Sequence, residues 1–425
     1  MIPILRYGKD NADRVFRRTQ LGDPQKAAAV ASIIADVRKR GDEALFEYAA
    51  KFDKAELSAQ NIEVTQAEID AAYDNVDPAL VESLRRAAKN VFDYHARQRA
   101  KFADDDHKVG KSSTLGWRYR ALKRVGLYVP GGKASYPSTV LMTAIPAVAA
   151  GVEELIVCTP NLTNPLIAVA CRECGVKKIY RVGGAQAVAA MAYGTESIPR
   201  VDLIAGPGNV FVTLAKKQVF GDVAIDMIAG PSEVLVIADE SANPDWVAAD
   251  LLSQAEHDES AAAILVTDSE EFGAKVAACI EEQTAKLPRR AIVEKSLETN
   301  GAVVVCKDLD EAAEVANMVA PEHLEVCTRN ARELAAKLHN AGALFVGNWS
   351  PEPLGDYFAG PSHVLPTSGS ARFSSVLSVD TFMKKTSYIE YSGEDLLATA
   401  DDITALADSE GFGAHANSIR IRREK

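Results

Sequence analysis

The chain has 425 residues and carries 47 Lys+Arg against 59 Asp+Glu, a formal net charge of −12. At roughly 100–200 residues per domain, that length makes about two to four domains. A hydrophobic share of 47% with 25% charged residues is a globular composition and excludes a largely disordered chain, while the acidic balance argues against a nucleic-acid binder or a protein of anionic membrane surfaces. No run reaches the ~20 apolar residues of a membrane helix. The first stretch, with Arg6, Lys9, Arg14, Arg17 and Arg18, lacks the apolar core of a secretory signal. Six cysteines scattered through a long chain read as reduced thiols in a cytosol-like compartment.

The first hundred residues read as helical. Asp23-Pro24 is an N-cap with proline in the first turn and Gly41 a C-terminal stop; Asp77-Pro78 opens a long helix running to about Arg99. The charged segment Lys101–Lys111 has no periodicity and reads as a loop or boundary. From Leu122 short apolar runs alternate with helical stretches. The runs are Val125–Val129, Leu155–Cys158, Ile179–Val182 and Leu203–Ala205, then Val234–Ala238, Ala263–Thr267, Val303–Val305, Leu324–Cys327 and Leu344–Val346. Such alternation predicts parallel, doubly wound α/β sheets, and its two blocks predict two of them. Beyond Ser368 the pattern weakens into a tail.

In such sheets ligands bind at the carboxyl ends of strands, where glycine loops and free helix N–H groups lie. Pro130-Gly131-Gly132, Gly183-Gly184-Ala185-Gln186 and Gly206-Pro207-Gly208-Asn209 fit that place. None is a G-x-G-x-x-G fingerprint, and each reads equally as a tight turn. Ser253-Gln254-Ala255-Glu256-His257-Asp258 sets Gln254 and His257 three apart, on one helical face, an N/O pair suited to zinc or a plain helix end in solvent. Pro321-Glu322-His323 precedes a strand; a Glu-His pair there can move protons, or be two polar turn residues. Gly355-Asp356-Tyr357, Gly360-Pro361-Ser362-His363 and Glu410-Gly411-Phe412-Gly413-Ala414-His415 pair acids with imidazoles around turns, and read equally as surface loops. Cys171-x-x-Cys174 lacks the second pair of a thiolate zinc site. His95, His107 and His339 sit among charges on expected helices or loops and read as solvated.

Together these segments resemble the histidinol dehydrogenase family. Asp226-Met227-Ile228-Ala229-Gly230-Pro231-Ser232-Glu233-Val234 resembles its signature. The segment 253–258, then Pro321-Glu322-His323-Leu324-Glu325, Leu354-Gly355-Asp356-Tyr357, His363-Val364-Leu365-Pro366-Thr367 and the 410–415 tail follow in the family's order. The resemblance runs from about Asp23 to about Arg420. The tail reads Gly413-Ala414-His415 where many members have Asp-Ala-His, and Gly360-Pro361-Ser362 stands where many have Asn before the histidine.

The resemblance implies a zinc-dependent oxidoreductase of the cytoplasm that takes L-histidinol through bound L-histidinaldehyde to L-histidine, reducing two NAD⁺, at the end of histidine biosynthesis. It implies one Zn²⁺ per subunit, held by Gln254, His257, Asp356 and His415, and a domain-swapped homodimer in which the tail histidine comes from the partner. Glu322 and His323 map as the catalytic pair. The substrate contacts implied are Ser232, Gln254, His257, His323, Asp356, His363, Glu410 and His415; the NAD contacts are Tyr128, Gln186 and Asn209. The fold implied is two incomplete Rossmann-like domains. On this reading the chain divides into an arm (1–20), a first α/β domain with the zinc and catalytic residues (21–115 with 234–370), a second with the NAD loops (116–233), and a dimerisation tail (371–425). In the chemistry expected, His323 accepts the alcohol proton and Glu322 activates water on the aldehyde. A zinc hydrolase of amides or esters without a dinucleotide, and a catalytically idle relative, are the competing readings.

Overall fold

Both blocks of strand–helix alternation become parallel sheets. The computed structural model describes residues 2–16, 23–131, 136–160 and 164–423; Arg17, Arg18, Gly132 and Asn161 of the sequence reading lie outside them. The strands in chain order are β1 (Ile4–Arg6), β2 (Asp105–Val109), β3 (Ser113–Ala121), β4 (Arg124–Tyr128), β5 (Glu154–Cys158), β6 (Lys178–Tyr180), β7 (Leu203–Ala205), β8 (Ala224–Ile225), β9 (Glu233–Ala238), β10 (Ala262–Thr267), β11 (Ala302–Val305), β12 (His323–Cys327), β13 (Ala343–Val346) and β14 (Met383–Glu390).

The chain forms two compact units, Met1–Arg97 with Leu122–Phe382, and Gln98–Ala121 with Met383–Lys425. The first holds both parallel sheets, ordered β6-β5-β4-β7-β8 and β1-β11-β10-β9-β12-β13. Apart from the edge strand β1, each starts at a central strand, steps outward over two strands, then returns to the other side of the first. The reversal falls between β4 and β7 in one sheet and between β9 and β12 in the other.

The strands are apolar almost throughout because helices cover both faces. In β9, Val234, Val236 and Ala238 face a core shared with Val247, Leu251 and Leu252 of the helix Pro244–Ala255. The alternate residues Leu235 and Ile237 face a core with Ala312, Val315 and Val319 of the helix Leu309–Val319. The period-two alternation of a strand thus serves two cores at once.

Helices expected to accompany the six-stranded sheet sit elsewhere. Val30, Ile33, Ile34 and Val37 of the helix Pro24–Arg40, with Leu45 and Ile62, share a core with Tyr128, Ile156 and Tyr180 of the five-stranded sheet. The caps of that first helix are as the sequence indicates. The Asp23 carboxylate accepts the N–H groups of Gln25 and Lys26, and Gly41 at φ +59° gives its N–H to the Val37 carbonyl.

Two segments carry strands that periodicity missed. β1, read as part of an arm, pairs in parallel with β11. β2 runs through the charged segment read as a loop and pairs antiparallel with β3. It is exposed almost throughout, so no apolar alternation marks it. His107 therefore lies on a strand. His95 is fully buried rather than solvated, its Nδ1 2.8 Å from the Val91 carbonyl one turn back.

In the second unit β3 pairs with both β2 and β14. The Asp395 carboxylate accepts backbone N–H groups from Lys111, Ser112 and Ser113, which pins the β2–β3 turn to the start of the tail helices. Those hydrogen bonds hold the carboxyl well below its usual range. No described helix is long and apolar enough to cross a membrane.

Candidate active site at the amino end of the six-stranded sheet

The helix Pro244–Ala255 is started by Asn243, whose side chain accepts the Asp245 N–H, and by proline in its first turn. Its apolar face lies on β9 and β10, which sets Gln254 inside the protein at the last turn and His257 just beyond. Gln254 is fully buried, and neither its Oε1 nor its Nε2 has a hydrogen-bond partner. Leaving a buried amide unpaired costs about 1–3 kcal/mol, so this side chain is held for something other than packing.

The helix Leu309–Val319 ends at Ala320 in the left-handed region, φ +51°, which turns the chain sharply so that Glu322 and His323 head β12. Both then meet the backbone of Glu233, the first residue of β9. Glu322 Oε2 accepts the Glu233 N–H at 2.9 Å, and His323 Nδ1 lies 3.0 Å from the Glu233 carbonyl. A carbonyl only accepts, so Nδ1 carries the hydrogen and Nε2 carries the lone pair. That Nε2 is buried and unpartnered. It stands 3.9 Å from Glu352 Oε1 and 3.9 Å from Asp356 Oδ1. Burial pushes the His323 pKa down to about 3, which keeps the ring neutral. Burial also pushes Glu322 up, making its carboxylate a stronger base.

Glu352 and Asp356 are four apart, on one face of the helix Glu352–Tyr357. Glycine at 355 lets this helix approach β13, because a Cβ there would lie 2.7 Å from the Phe345 ring. The Glu352 N–H donates to Glu325 Oε1 at 2.7 Å, and Ser253 Oγ lies 3.2 Å from Glu352 Oε2. His257, Glu352 and Asp356 each offer a ligand atom, and these atoms all lie within 4.8 Å of one another. Burial raises the pKa of both carboxyls, with Asp356 adding to the rise at Glu352. Two buried carboxyls this close ionise together only beside a cation. The donor set is nitrogen and oxygen without thiolate, which suits zinc or another borderline divalent ion.

His363 Nδ1 is 3.6 Å from Asp356 Oδ1, and burial pushes that imidazole down to about 4. The loop after His363 returns to the head of β9: Thr367 Oγ1 accepts the Gly230 N–H, and the Ser368 N–H donates to Glu233 Oε1 at 3.1 Å. Ser232, half-buried, sits between them. The first unit thus brings together Glu322, His323, Asp356 and His363, with His257 beside Asp356. Glu352 joins them without having been singled out from the sequence. Its signal was there: two acids one turn apart in a short helix repel, and such spacing asks for a reason. Glu410 and His415 belong to the second unit, both exposed, with the His415 ring 5.1 Å from that of Phe412.

The glycine loops lie at the carboxyl ends of the five-stranded sheet. Tyr128 ends β4, and its hydroxyl accepts the Gly184 N–H at 3.0 Å. Gly206, φ +113°, passes so close to the Tyr128 carbonyl that a Cβ would stand 2.2 Å from it. A buried pair fixes that loop, since Lys216 Nζ donates to the Gly206 carbonyl, the Gly206 N–H donates to Asp226, and the two charges meet. Gln186 is buried in the turn after Gly184, and Asn209 caps the helix Val210–Val219 through the Phe211 and Val212 N–H groups. The Cys171 and Cys174 thiols are buried, and burial drives both well above their usual range.

The sequence matches the histidinol dehydrogenase family over residues 16–423. It is 54% identical over 430 residues to the histidinol dehydrogenase of Heliobacterium mobile, covering 100% of both chains. It is 51% identical over 398 residues to that of Carboxydothermus hydrogenoformans, covering 92% of this chain and 93% of that one. Among solved structures, the histidinol dehydrogenase of Elizabethkingia anophelis superposes with a TM-score of 0.92 at 36% identity, covering 100% of this chain and 99% of that one.

Proposed function

The chain belongs to the histidinol dehydrogenase family, NAD-dependent oxidoreductases of histidine biosynthesis, and from that premise we propose how its residues divide the reaction. The six-stranded sheet carries the substrate and metal side. The five-stranded sheet carries NAD⁺. Residues 371–425 join two copies into a cytoplasmic homodimer.

The residues present fit a zinc ion. Gln254 has an orphaned buried amide, and His257 and Asp356 converge with Glu352. Gln254, His257 and Asp356 would hold it, and the exposed His415 of a second copy would complete the set, with Glu410 beside it. Bound there, the ion would supply Lewis acidity and a fixed positive charge on the substrate side. The residues also fit a dinucleotide: glycine at 206 lets the loop pass close over the end of β4, which sets a run of backbone beside Tyr128, Gln186 and Asn209. NAD⁺ supplies the hydride acceptor, twice.

His323 is the base of the first half. Its hydrogen on Nδ1 is committed to the Glu233 carbonyl, so Nε2 takes the alcohol proton as the C–H hydride departs. Glu322 serves the second half, taking a proton from the water that adds to the aldehyde carbon; hydride then leaves the hydrate, and the carboxylate remains. Ser232 and His363 line the substrate side. Burial of all these groups excludes bulk water from a reactive aldehyde.

One observation carries the reading: the His323 ring lies beside Glu322, and its unpartnered, buried Nε2 faces the His257–Glu352–Asp356 cluster. The test is NADH formation from L-histidinol by protein stripped with a chelator and then given zinc. Two NADH per histidinol, lost on chelation and restored by zinc, is expected. Absence of NADH from a folded, zinc-loaded dimer would overturn it.

A further inference from the structure

Against one of the cofactor loops lies a carboxylate that no part of the reaction uses. Asp53 ends the π-helical turn Ala49–Asp53, followed by Lys54 in the left-handed region at φ 54°. Asp53 is exposed, yet its Oδ2 reaches inward to Gln186 Nε2 at 3.3 Å. An ionised carboxylate only accepts, so this contact fixes which way the buried Gln186 amide points: nitrogen to Asp53, oxygen away. The oxygen lies over Gly184, whose absent Cβ would stand 2.6 Å from it. Gly184 gives its own N–H to the Tyr128 hydroxyl. The Gln186 oxygen and the Asp53 carboxylate are therefore two acceptors side by side at the carboxyl end of β6, where the Gly184 N–H is already used.

Resting on the NAD⁺ reading above, we propose that Asp53 is the specificity-determining residue for the dinucleotide: it locks the Gln186 amide so that the two acceptors take ribose hydroxyls and refuse a ribose phosphate. A hydroxyl donates to such acceptors. A phosphate has no hydrogen to give at neutral pH and meets a like charge. Asp53 is a positioning residue for Gln186 as well as a screen against the extra anion.

The test is calorimetric titration of zinc-loaded, full-length protein with NAD⁺ and with NADP⁺, for the wild type, Asp53→Asn and Asp53→Glu. A charge-assisted hydrogen bond and a like-charge screen at one position are together worth about tenfold or more in affinity. The wild type should prefer NAD⁺ by at least that much. Asp53→Asn can turn either end of its amide to Gln186 and carries no charge; it should weaken NAD⁺, strengthen NADP⁺, and put the kinetic loss on KM for NAD⁺ rather than on kcat. Asp53→Glu keeps the charge and should keep most of the preference. A merely structural Asp53 would lower both affinities together, and an unchanged ratio in Asp53→Asn overturns the proposal. Equal wild-type affinity for the two dinucleotides overturns it whatever the variants do. A wild type that binds neither overturns the NAD⁺ reading itself.

Discussion

The two parallel sheets share one strand order but carry their candidate sites at opposite ends. In the five-stranded sheet, Tyr128 ends β4 and Asn209 follows β7, at the reversal point where open α/β sheets ordinarily bind ligands, and Gln186 follows β6 at the same end of the sheet. In the six-stranded sheet the corresponding ends carry Asp239, Glu240 and Asp268, and burial raises the pKa of Asp268, with the charges of Asp239 and Glu240 adding to the rise. A pyrophosphate would meet like charges there. Its chemistry sits instead at the amino ends, where Glu322 and His323 head β12 and bind the backbone of Glu233 at the head of β9. Topology fixes where a crevice opens; the residue types at each end decide which crevice is used. A glycine loop makes a surface of backbone for a phosphate, whereas metal and proton chemistry is built from side chains that buried strand heads can hold still.

If the division is right, damage at one end should leave the other end working. The largest effect is expected from His323→Gln, which removes the basic ring nitrogen that faces the cluster. General acid–base catalysis is worth about 10²–10⁴-fold, and turnover should fall within that range while NAD⁺ affinity stays within about twofold. A parallel loss of NAD⁺ binding by titration would merge the two ends into one site. Glu322→Gln should impair aldehyde oxidation more than alcohol oxidation in separate half-reactions; equal loss would remove the division of labour between the pair. Next comes Asp226→Ala, which strands the buried Lys216 ammonium under the Gly206 loop. Breaking a buried pair from one side costs about 3–5 kcal/mol, readable as a lower midpoint in urea, with zinc affinity of the folded fraction retained.

The chain order of the sheets was legible because parallel strands buried on both faces are short apolar runs between helices. What escaped was polar. β2 pairs along an exposed edge, and His95 lies at 0% exposure among charged neighbours whose side chains turn away. Gln254, His257, Glu322 and His323 could be picked out as types and spacings, but not the end of the sheet they occupy, because that depends on which side of a strand the chain enters. Glu352 escaped because its role comes from a partner, Glu325, twenty-seven positions earlier, that fixes its backbone. Asp53 escaped for the same reason: its partner is 133 positions away.

A smaller effect should follow from Gly206→Ala. The left-handed φ of +113° and a Cβ 2.2 Å from the Tyr128 carbonyl both oppose it. The loop must move away from β4, and NAD⁺ should bind roughly tenfold more weakly, with zinc binding and the histidinol contacts untouched. Zinc loss in this variant would show that the loop supports both ends.

The smallest expected effect tests the amino end by the same device. Gly355→Ala puts a methyl against the Phe345 ring, and the ring can yield where a carbonyl cannot. Overpacking of this kind costs about 1–3 kcal/mol, and the lower end is expected because the ring's far edge bears the contact. The helix Glu352–Tyr357 would lift from β13 and carry Glu352 and Asp356 with it, since both leave that helix on the face toward His323. Zinc affinity should fall severalfold and NAD⁺ affinity should not change. The two glycine variants then form a mirrored pair, each loosening one ligand and sparing the other. Either variant loosening both would mean that the sheets, alike in strand order, are also coupled, and that the opposite placement of their sites is no barrier to communication.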